Sequence, residues 1–374
     1  MAKIIKVDIE NFSYGEETIL QDIHFSVEKG EFIVITGLSG CGKTSLLRLL
    51  NGLIPNLYDG EITGEIHILG KSISNYKKGE IAKYVGNVFQ NPNDQFFSKE
   101  VENEIALIGE NMGMERQLLH ERVENALQEI GITDLKTKNV RELSGGQKQK
   151  VAIASTLVFD SEIIFFDEPS ANLDYKATND LEKILKHLKE QGKTIVIAEH
   201  RLSYLSQLLD RLILLKDGKI KTIFSSDNLT DDVEHENDLR SFNNKNLIST
   251  MEDPDNHQMI NIEDVYVSNN GYSLDEPVNF SLNRGECMAL IGENGIGKTT
   301  LAKELTGLIP MRNGKTSYAQ STRSRLSNVA ISLQNCSNMF FCETVEKELI
   351  PQNKDQKYLA EVKKYLIEME LWDK

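Results

Sequence analysis

Apolar residues recur along this chain with two different periods, and segments of the two kinds alternate. Short runs of aliphatic and aromatic residues are typical of strands buried on both faces of a sheet. Three such runs are EFIVIT at 31–36, SEIIFFDEP at 161–169 and KTIVIAEH at 193–200. A stripe with a spacing of three or four residues runs from Met114 to Ile130 and predicts an amphipathic helix.

The first 35 residues have a different pattern, with two longer alternating runs joined by a turn at Gly30. These runs predict antiparallel strands that lead into the buried strand at 31–36. A hairpin is predicted near the end of the first half, at Asp217-Gly218. Together the patterns predict an α/β fold with a mainly parallel sheet, an antiparallel N-terminal layer and a helical insertion at about 92–158.

The sequence also repeats itself. The strand pattern of 3–35 recurs at 260–291, and QNPNDQFFSKEVENEI at 90–105 aligns without a gap with QNCSNMFFCETVEKEL at 334–349. A glycine-rich motif recurs between these segments, so three features repeat in the same order, as two copies of one domain would. We predict a complete domain at 1–224, an exposed acidic linker at 225–258 and an incomplete second domain at 259–374.

The glycine-rich motif GLSGCGKTS fits G-x-x-x-x-G-K-[ST], and it lies between a predicted strand and a predicted helix. Backbone N–H groups in such a turn bind phosphate, Lys43 adds positive charge, and the Thr44 hydroxyl can bind Mg²⁺. The predicted ATP-binding residues of this loop are Gly37, Leu38, Ser39, Gly40, Cys41, Gly42, Lys43, Thr44 and Ser45.

A second phosphate loop, GENGIGKTT, opens the second copy. Its predicted ATP-binding residues are Gly292, Glu293, Asn294, Gly295, Ile296, Gly297, Lys298, Thr299 and Thr300. The last residues, LWDK, match ITDL at 132–135 of the first copy. The later motifs of the first copy therefore have no counterpart in the second. The sequence is either a fragment of a longer tandem protein or a truncated gene product, and we favour truncation.

Polar residues end three of the predicted strands, where ligands of open α/β sheets lie. We assign Asp167 to Mg²⁺ and Glu168 to the general base that activates water. Gln90 can contact the metal or the attacking water, although it could be a plain polar residue at a strand end. His200 can stabilise charge on a transferred phosphoryl group, or else be a packing histidine with one hydrogen bond.

The turn LSGGQ precedes another predicted helix and offers a second anion site. Its residues are Leu143, Ser144, Gly145, Gly146 and Gln147. The alternative is an ordinary helix N-terminus, because Ser followed by Gln three residues later forms a capping box. A long helical insertion separates this turn from the phosphate loop, so we expect it to act on the nucleotide of another copy.

Composition excludes several classes of function. The net charge of −15 argues against a nucleic-acid surface, which needs a basic field. No apolar run approaches the ~18–20 residues that span a bilayer, and the N-terminus does not resemble a signal peptide. The cysteines lack metal-binding or disulfide spacing, which fits a reducing cytoplasm. They are Cys41, Cys287, Cys336 and Cys342.

The motifs occur in the order and spacing of the ATP-binding cassette (ABC) ATPases, and the chain resembles that family over all of 1–223. The resemblance implies a Q-loop at Gln90, a signature turn at 143–147, a D-loop at 170–174 and a switch histidine at His200. It also implies Walker B acids at Asp167 and Glu168, and ATP with Mg²⁺ as ligands. Tyr14 matches the aromatic residue that stacks on adenine, or is simply a strand aromatic.

Two segments, NGLIPNLYDGEITGEI and VFQNPNDQFFSKEVENEI, are similar to the ATPases of energy-coupling factor and cobalt-type importers. That resemblance implies vitamin or metal-ion uptake through separate integral membrane subunits, with this chain on the cytoplasmic face of the membrane. Residues 92–110 would face the membrane partner, and a second ABC domain or another copy of the chain would complete the site.

The alternative is a soluble tandem ABC protein of the translation-factor type. Proteins of that type carry a long, charged, RNA-facing linker. Here the linker is acidic, with Arg240 and Lys245 as its only bases. RNA binding requires a basic surface, so the importer is favoured and no nucleic-acid partner is expected.

Overall fold

The computed structural model describes residues 2–230, 233, 236–237, 239, 258–269, 272–273, 276–311, 313–317, 329–333, 339–350, 356–369 and 371–372. The chain forms two units. One comprises Met1–Thr250 with Gly292–Gly295, and the other comprises Met251–Ile291 with Ile296–Lys374. Most of the predicted linker at 225–258 lies outside the described residues, so its boundaries remain a prediction.

The described part of the first unit contains ten strands: β1 (Lys3–Tyr14), β2 (Glu17–Glu28), β3 (Phe32–Thr36), β4 (Glu61–Ile68), β5 (Lys71–Ser72), β6 (Val85–Val88), β7 (Ile163–Asp167), β8 (Thr194–Ala198), β9 (Arg211–Lys216) and β10 (Lys219–Ser225). Its α-helices are α1 (Lys43–Leu50), α2 (Leu53–Asn56), α3 (Val101–Asn111), α4 (Arg116–Ile130), α5 (Gly145–Leu157) and α6 (Tyr175–Glu190). Short 3₁₀ turns lie at Ile73–Asn75, Glu80–Lys83, Pro92–Asp94, Thr133–Leu135, Val140–Glu142, Ser203–Leu205 and Ser226–Asn228.

A six-stranded sheet in the order β10-β9-β3-β8-β7-β6 forms the centre of this unit. Strands β9 to β6 are parallel, and β10 pairs antiparallel with β9 through the predicted hairpin. Asp217 and Gly218 both have positive φ there, as a tight hairpin turn requires. The predicted mainly parallel sheet is confirmed.

Both faces of the parallel sheet are buried, which explains its unbroken apolar runs. Phe32 and Val34 point into a core shared with α3 to α6, while Ile33 and Ile35 point into a core shared with α1 and the antiparallel sheet. Helix α4 contributes the predicted stripe, with five buried residues at Leu119, Val123, Ala126, Leu127 and Ile130. Because alternate residues of each strand point to opposite faces of the sheet, each face is covered by one layer of the domain.

The second sheet has the order β2-β1-β4-β5 and is antiparallel, as predicted for the N-terminal layer. A register shift between Ile9 and Asn11 forms a bulge opposite Gly64. Gly64 has φ of +124°, and a Cβ built on it would lie 2.2 Å from the Asp8 carbonyl oxygen. Glycine is therefore required where β4 crosses the bulge of β1.

The second unit contains β11 (Gln258–Val265), β12 (Ser268–Asn269), β13 (Tyr272–Ser273), β14 (Val278–Asn283) and β15 (Lys315–Thr316). Its helices are α7 (Lys298–Thr306), α8 (Val345–Leu349) and α9 (Gln356–Glu368). Strand β11 pairs antiparallel with β14 and β15, so the repeated antiparallel pattern is confirmed. A small core of Ile262, Val265, Val267 and Leu301 lies beneath this sheet.

The strand expected before the second phosphate loop is absent from the described structure. Residues 287–291 form no strand there, and Ile291 is 88% exposed. In the first unit the equivalent strand, β3, pairs with β8 on one side and β9 on the other. The prediction of a strand directly before the second phosphate loop is therefore wrong for the described structure.

A loop held by a glutamate occurs in both copies. The Glu104 carboxylate accepts hydrogen bonds from the backbone N–H groups of Phe97 (2.8 Å) and Ser98 (2.6 Å). At the repeated positions, Glu348 accepts from Phe341 (2.9 Å) and Cys342 (2.8 Å). These backbone bonds lower the pKa of Glu348. Phe97 and Phe341 are 82% and 90% exposed, so both loops present an aromatic ring.

Gly64 provides a stability test of the bulge, with Gly70 as a matched control. Both are exposed glycines with positive φ, but a Cβ on Gly70 meets no atom within 4 Å. We expect Gly64→Ala to lower the free energy of unfolding by about 3 kcal/mol. Gly70→Ala should cost only about 1 kcal/mol, the penalty of the left-handed backbone. Urea denaturation followed by circular dichroism measures both, and equal losses would contradict the clash at the bulge.

Candidate active site

The phosphate loop leaves the end of β3 and opens α1, as predicted. Gly37, Gly40 and Gly42 have φ of +151°, +81° and +102°. A Cβ on Gly37 would lie 2.1 Å from the Leu215 carbonyl oxygen, and one on Gly42 would lie 2.6 Å from Leu20 Cδ2. Close packing against neighbouring strands therefore requires two of the three motif glycines.

Lys43 lies at the first position of α1 and is 4% exposed. Its Nζ donates to the carbonyl oxygens of Gly37 (3.1 Å) and Leu38 (3.0 Å), so the ammonium group lies within the turn of the loop. Cys41 Sγ lies 3.9 Å from this nitrogen. Burial raises the pKa of the Cys41 thiol, while the nearby Lys43 lowers it. The loop thus contains a buried lysine side chain, which can supply positive charge to a phosphate bound by the backbone N–H groups of such a turn.

Thr44 in the first turn of α1 contacts Asp167 at the end of β7. The Thr44 hydroxyl donates a hydrogen bond to Asp167 Oδ1 at 3.1 Å. Burial raises the pKa of Asp167, the Thr44 hydrogen bond lowers it, and the adjacent Glu168 raises it. A hydroxyl and a half-buried carboxylate are hard oxygen ligands, the kind that Mg²⁺ prefers. Two of the three residues predicted from sequence to bind Mg²⁺, Thr44 and Asp167, thus lie together, and their oxygen atoms fit the ion.

Glu168, which follows β7, contacts residues at the ends of the two neighbouring strands, β6 and β8. Its φ is +41°, and its N–H donates to the Ala198 carbonyl oxygen at the end of β8 (2.8 Å). Gln90 Nε2 donates to one carboxylate oxygen at 2.8 Å, and His200 Nε2 lies 3.0 Å from the other. The structure therefore brings the three predicted catalytic residues together. A non-glycine residue in the left-handed region is the kind of strain that clusters at active sites.

Tyr14 lies beside the phosphate loop, where its hydroxyl donates to Ser45 Oγ at 3.3 Å. Its ring packs edge-on against Phe12, with centroids 4.9 Å apart. The ring is half-buried, and adenine stacking on it remains a prediction.

The signature turn is a helix N-terminus with a capping box. The Ser144 hydroxyl accepts from Gln147 N (3.3 Å), and Gln147 Oε1 accepts from Ser144 N (2.9 Å). A Cβ on Gly146 would lie 2.8 Å from the Cβ of Ala177, so α5 packs closely against α6 there. Within the described part of the chain, no hydrogen bond joins 143–147 to 37–45. The structure does not bring this turn to the phosphate loop of its own domain.

The second phosphate loop follows the same backbone path as the first. Gly292, Gly295 and Gly297 have φ of +158°, +87° and +108°, close to the values in the first loop. Gly297 precedes α7 as Gly42 precedes α1, and both have ψ near zero. The loop conformation is thus set locally, even though the strand before it is not formed.

Sequence reasoning missed Glu199, a 2% exposed carboxylate next to His200. It accepts hydrogen bonds from Ser170, His200, Arg201 and Tyr204. A signal was present, because Glu199 is an acid at the end of an apolar run, as Asp167 and Glu168 are.

A phosphate loop after β3, an acid pair after β7 and a histidine after β8 define a P-loop ATPase of the ATP-binding cassette type. The ABC transporter family model matches residues 20–171 and 276–374. The chain belongs to this family and is an ABC transporter ATPase, so the predicted fold class and resemblance are confirmed. Within the described residues, no helix is both long and apolar enough to cross a membrane.

Comparison with individual relatives supports the same family assignment. A putative ABC transporter ATP-binding protein of Treponema denticola is 39% identical over 358 residues, covering 89% of this chain and 72% of the relative. The putative HMP/thiamine import ATP-binding protein YkoD of Bacillus subtilis is 30% identical, covering 93% and 71%. The structure of cbiO1 from Clostridium perfringens, part of the ABC transporter complex cbiONQ, superposes with a TM-score of 0.55 and 31% identity. It covers 63% of this chain and 91% of cbiO1.

Proposed function

We propose that this chain is the ATP-hydrolysing subunit of an energy-coupling factor type importer that takes up a vitamin or a metal ion. The proposal of hydrolysis rests on one observation, the position of the Glu168 carboxylate between the side chains of Gln90 and His200. The importer type is supported by the similarity to YkoD and cbiO1, whose names describe thiamine import and an ABC transporter complex.

The phosphate loop binds the nucleotide in this proposal. Backbone N–H groups between Gly37 and Thr44 bind the phosphates of ATP, and the Lys43 ammonium adds a point charge. Tyr14 stacks on adenine beside the loop. Thr44, Asp167 and Gln90 would hold Mg²⁺, which when bound neutralises charge on the phosphate oxygens.

Hydrolysis requires a base near the γ-phosphate. Glu168 accepts a proton from the attacking water, and the proton ends on its carboxyl group. Gln90 and His200 each bind one oxygen of this carboxylate, so its orientation is fixed before the reaction. His200 also stabilises the charge that develops on the phosphoryl group.

Glu168→Gln tests the base. We expect turnover to fall at least ~10²-fold, because general-base catalysis contributes at least that much. ATP should still bind, since the phosphate loop is unchanged. Lys43→Ala is the matched contrast, because it should weaken ATP binding itself. Turnover by phosphate release and affinity by ATP titration are measured on the full chain, and near-normal turnover in Glu168→Gln removes it from the mechanism.

The signature turn acts on a second cassette in this proposal. Ser144 caps α5, whereas Lys43 opens α1, and no described hydrogen bond joins the two segments. A nucleotide enclosed by both turns needs the phosphate loop of one cassette and residues 143–147 of another. Two first domains can pair head to tail with twofold symmetry, each lending its signature turn to the other.

Mixed chains test this pairing. Lys43→Ala chains and Ser144→Arg chains should each be inactive, because every pair of identical mutants lacks an intact site. A mixed pair retains one intact site, so the mixture should recover up to about a quarter of wild-type activity. Specific activity should also rise with protein concentration. No recovery in the mixture, with active wild type, contradicts the pairing of first domains.

Docking to the membrane subunits uses a groove of about 590 Å³ next to Gln90. Apolar side chains from α3, the loop before it and the α1–β4 region line the groove, including Leu57, Tyr58, Phe97, Leu107 and Ile108. Phe97 is 82% exposed although its backbone is fixed by Glu104. A rigid loop with an exposed aromatic ring suits an apolar helix of a membrane subunit, and such docking holds this chain on the cytoplasmic face of the membrane.

Phe97→Asp tests the docking site. Placing a charge in an apolar interface should reduce co-purification of membrane subunits from detergent-solubilised membranes at least ~10-fold. Leu118→Asp is the control, because Leu118 is 43% exposed on α4 and does not line the groove. Turnover of the isolated chain should be unchanged in both. Co-purification with ribosomes instead of membrane subunits would support the translation-factor alternative.

A further inference from the structure

We propose that Glu199 is a positioning residue for ATP hydrolysis, which fixes His200 against Glu168 by binding the loops that carry both. The inference rests on the proposed roles of Glu168 and His200. The Glu199 side chain is only 2% exposed, and the described hydrogen bonds of its carboxylate go to three backbone N–H groups and the Tyr204 hydroxyl. Its effect on hydrolysis is therefore transmitted through its hydrogen-bond partners.

One oxygen of Glu199 binds the histidine loop. Oε1 accepts hydrogen bonds from the backbone N–H groups of His200 (2.8 Å) and Arg201 (3.1 Å). Both donors belong to the first residues after β8, where the chain leaves the sheet. These bonds fix the backbone that carries the His200 ring.

The other oxygen binds the loop that follows Glu168. Oε2 accepts from the backbone N–H of Ser170 (3.3 Å) and from the Tyr204 hydroxyl (2.8 Å). Ser170 lies two residues after Glu168 and begins the predicted D-loop. Burial, together with the charge of Glu199, raises the pKa of Tyr204 well above its ordinary value, so its hydroxyl remains a donor.

The backbone of Glu199 adds a third attachment. Its N–H donates to the Ile35 carbonyl oxygen at 3.0 Å, immediately before the phosphate loop. Arg201 also bridges the two loops, because its guanidinium donates to the Ser170 carbonyl oxygen at 3.3 Å. One buried residue thus connects the strand before the phosphate loop, the loop after the base and the loop of the histidine.

Four donors on one buried carboxylate explain why an acid is needed here. A buried carboxylate must be hydrogen-bonded to be tolerated, and this one has two donors on each oxygen. A glutamine has the same shape but offers one acceptor oxygen and one NH₂ group. In Glu199→Gln, the NH₂ group therefore faces two donors on one side, and one of the two loops is released.

Kinetics of the full chain test the proposal. We expect Glu199→Gln to lower kcat about 10- to 100-fold with KM and Kd for ATP almost unchanged, since small misplacement of reacting groups has effects of this size. Tyr204→Phe removes a single donor and should lower kcat about 2- to 10-fold. Glu31→Gln is the matched control at the opposite end of β3, where Glu31 accepts from Glu28 N (2.8 Å) and pairs with Arg211. It should keep wild-type kcat.

A double-mutant cycle separates positioning from a merely structural role. Glu199→Gln added to His200→Ala should cause little further loss of kcat, because the group it positions is already gone. Multiplicative losses, unchanged kcat in Glu199→Gln, or a raised KM at unchanged kcat each overturn the proposal. If Glu199→Gln fails to fold, Tyr204→Phe is used in the same cycle.

The cycle also distinguishes this inference from the proposed function. Wild-type turnover in His200→Ala alone overturns the proposed role of His200, and the inference with it. Loss of turnover in His200→Ala together with wild-type turnover in Glu199→Gln overturns the inference alone.

Discussion

The backbone hydrogen bonds that β8 and β9 make to the two sides of β3 are the interaction on which the rest of the site depends. They hold the end of β3, and therefore the phosphate loop, at the centre of the parallel sheet. Strand β7 then pairs with β8, so that the acid pair and the histidine emerge at the same edge. Among the described residues of the second copy, 287–291 pair with no strand and are exposed although their sequence is apolar.

Burial of charged side chains in the site lowers the stability of the fold, but it places these charges where a ligand can bind them. Lys43 and Glu199 are almost completely buried, and burial raises the pKa of Asp167. Each of these groups is stabilised by local hydrogen bonds, which compensate for the loss of water. Polar groups held in place before a ligand binds are the general basis of electrostatic preorganisation.

Comparison of the two copies distinguishes structural features that depend on local sequence from features that depend on distant parts of the chain. The phosphate loops have nearly the same φ values in both copies, because glycine spacing and the start of a helix define the turn. The glutamate-held loops with Phe97 and Phe341 also agree, since donor and acceptor are only six or seven residues apart. Features whose partners lie far away in sequence, such as the strand before the loop, differ between the copies.

The sequence by itself predicted the buried parallel strands of the first domain, the apolar stripe of α4, the two phosphate loops and the candidate residues Gln90, Asp167, Glu168 and His200, because periodicity and motif spacing are local properties. Only the tertiary structure decided that Gln90 and His200 bind opposite oxygens of Glu168, and that Glu199 connects their loops. Those contacts join residues that follow three neighbouring strands of the sheet, β6, β7 and β8, which long helical segments separate in the chain. A carboxylate such as Glu199 acquires its role from donors on neighbouring loops, and local sequence cannot reveal which loops fold against it.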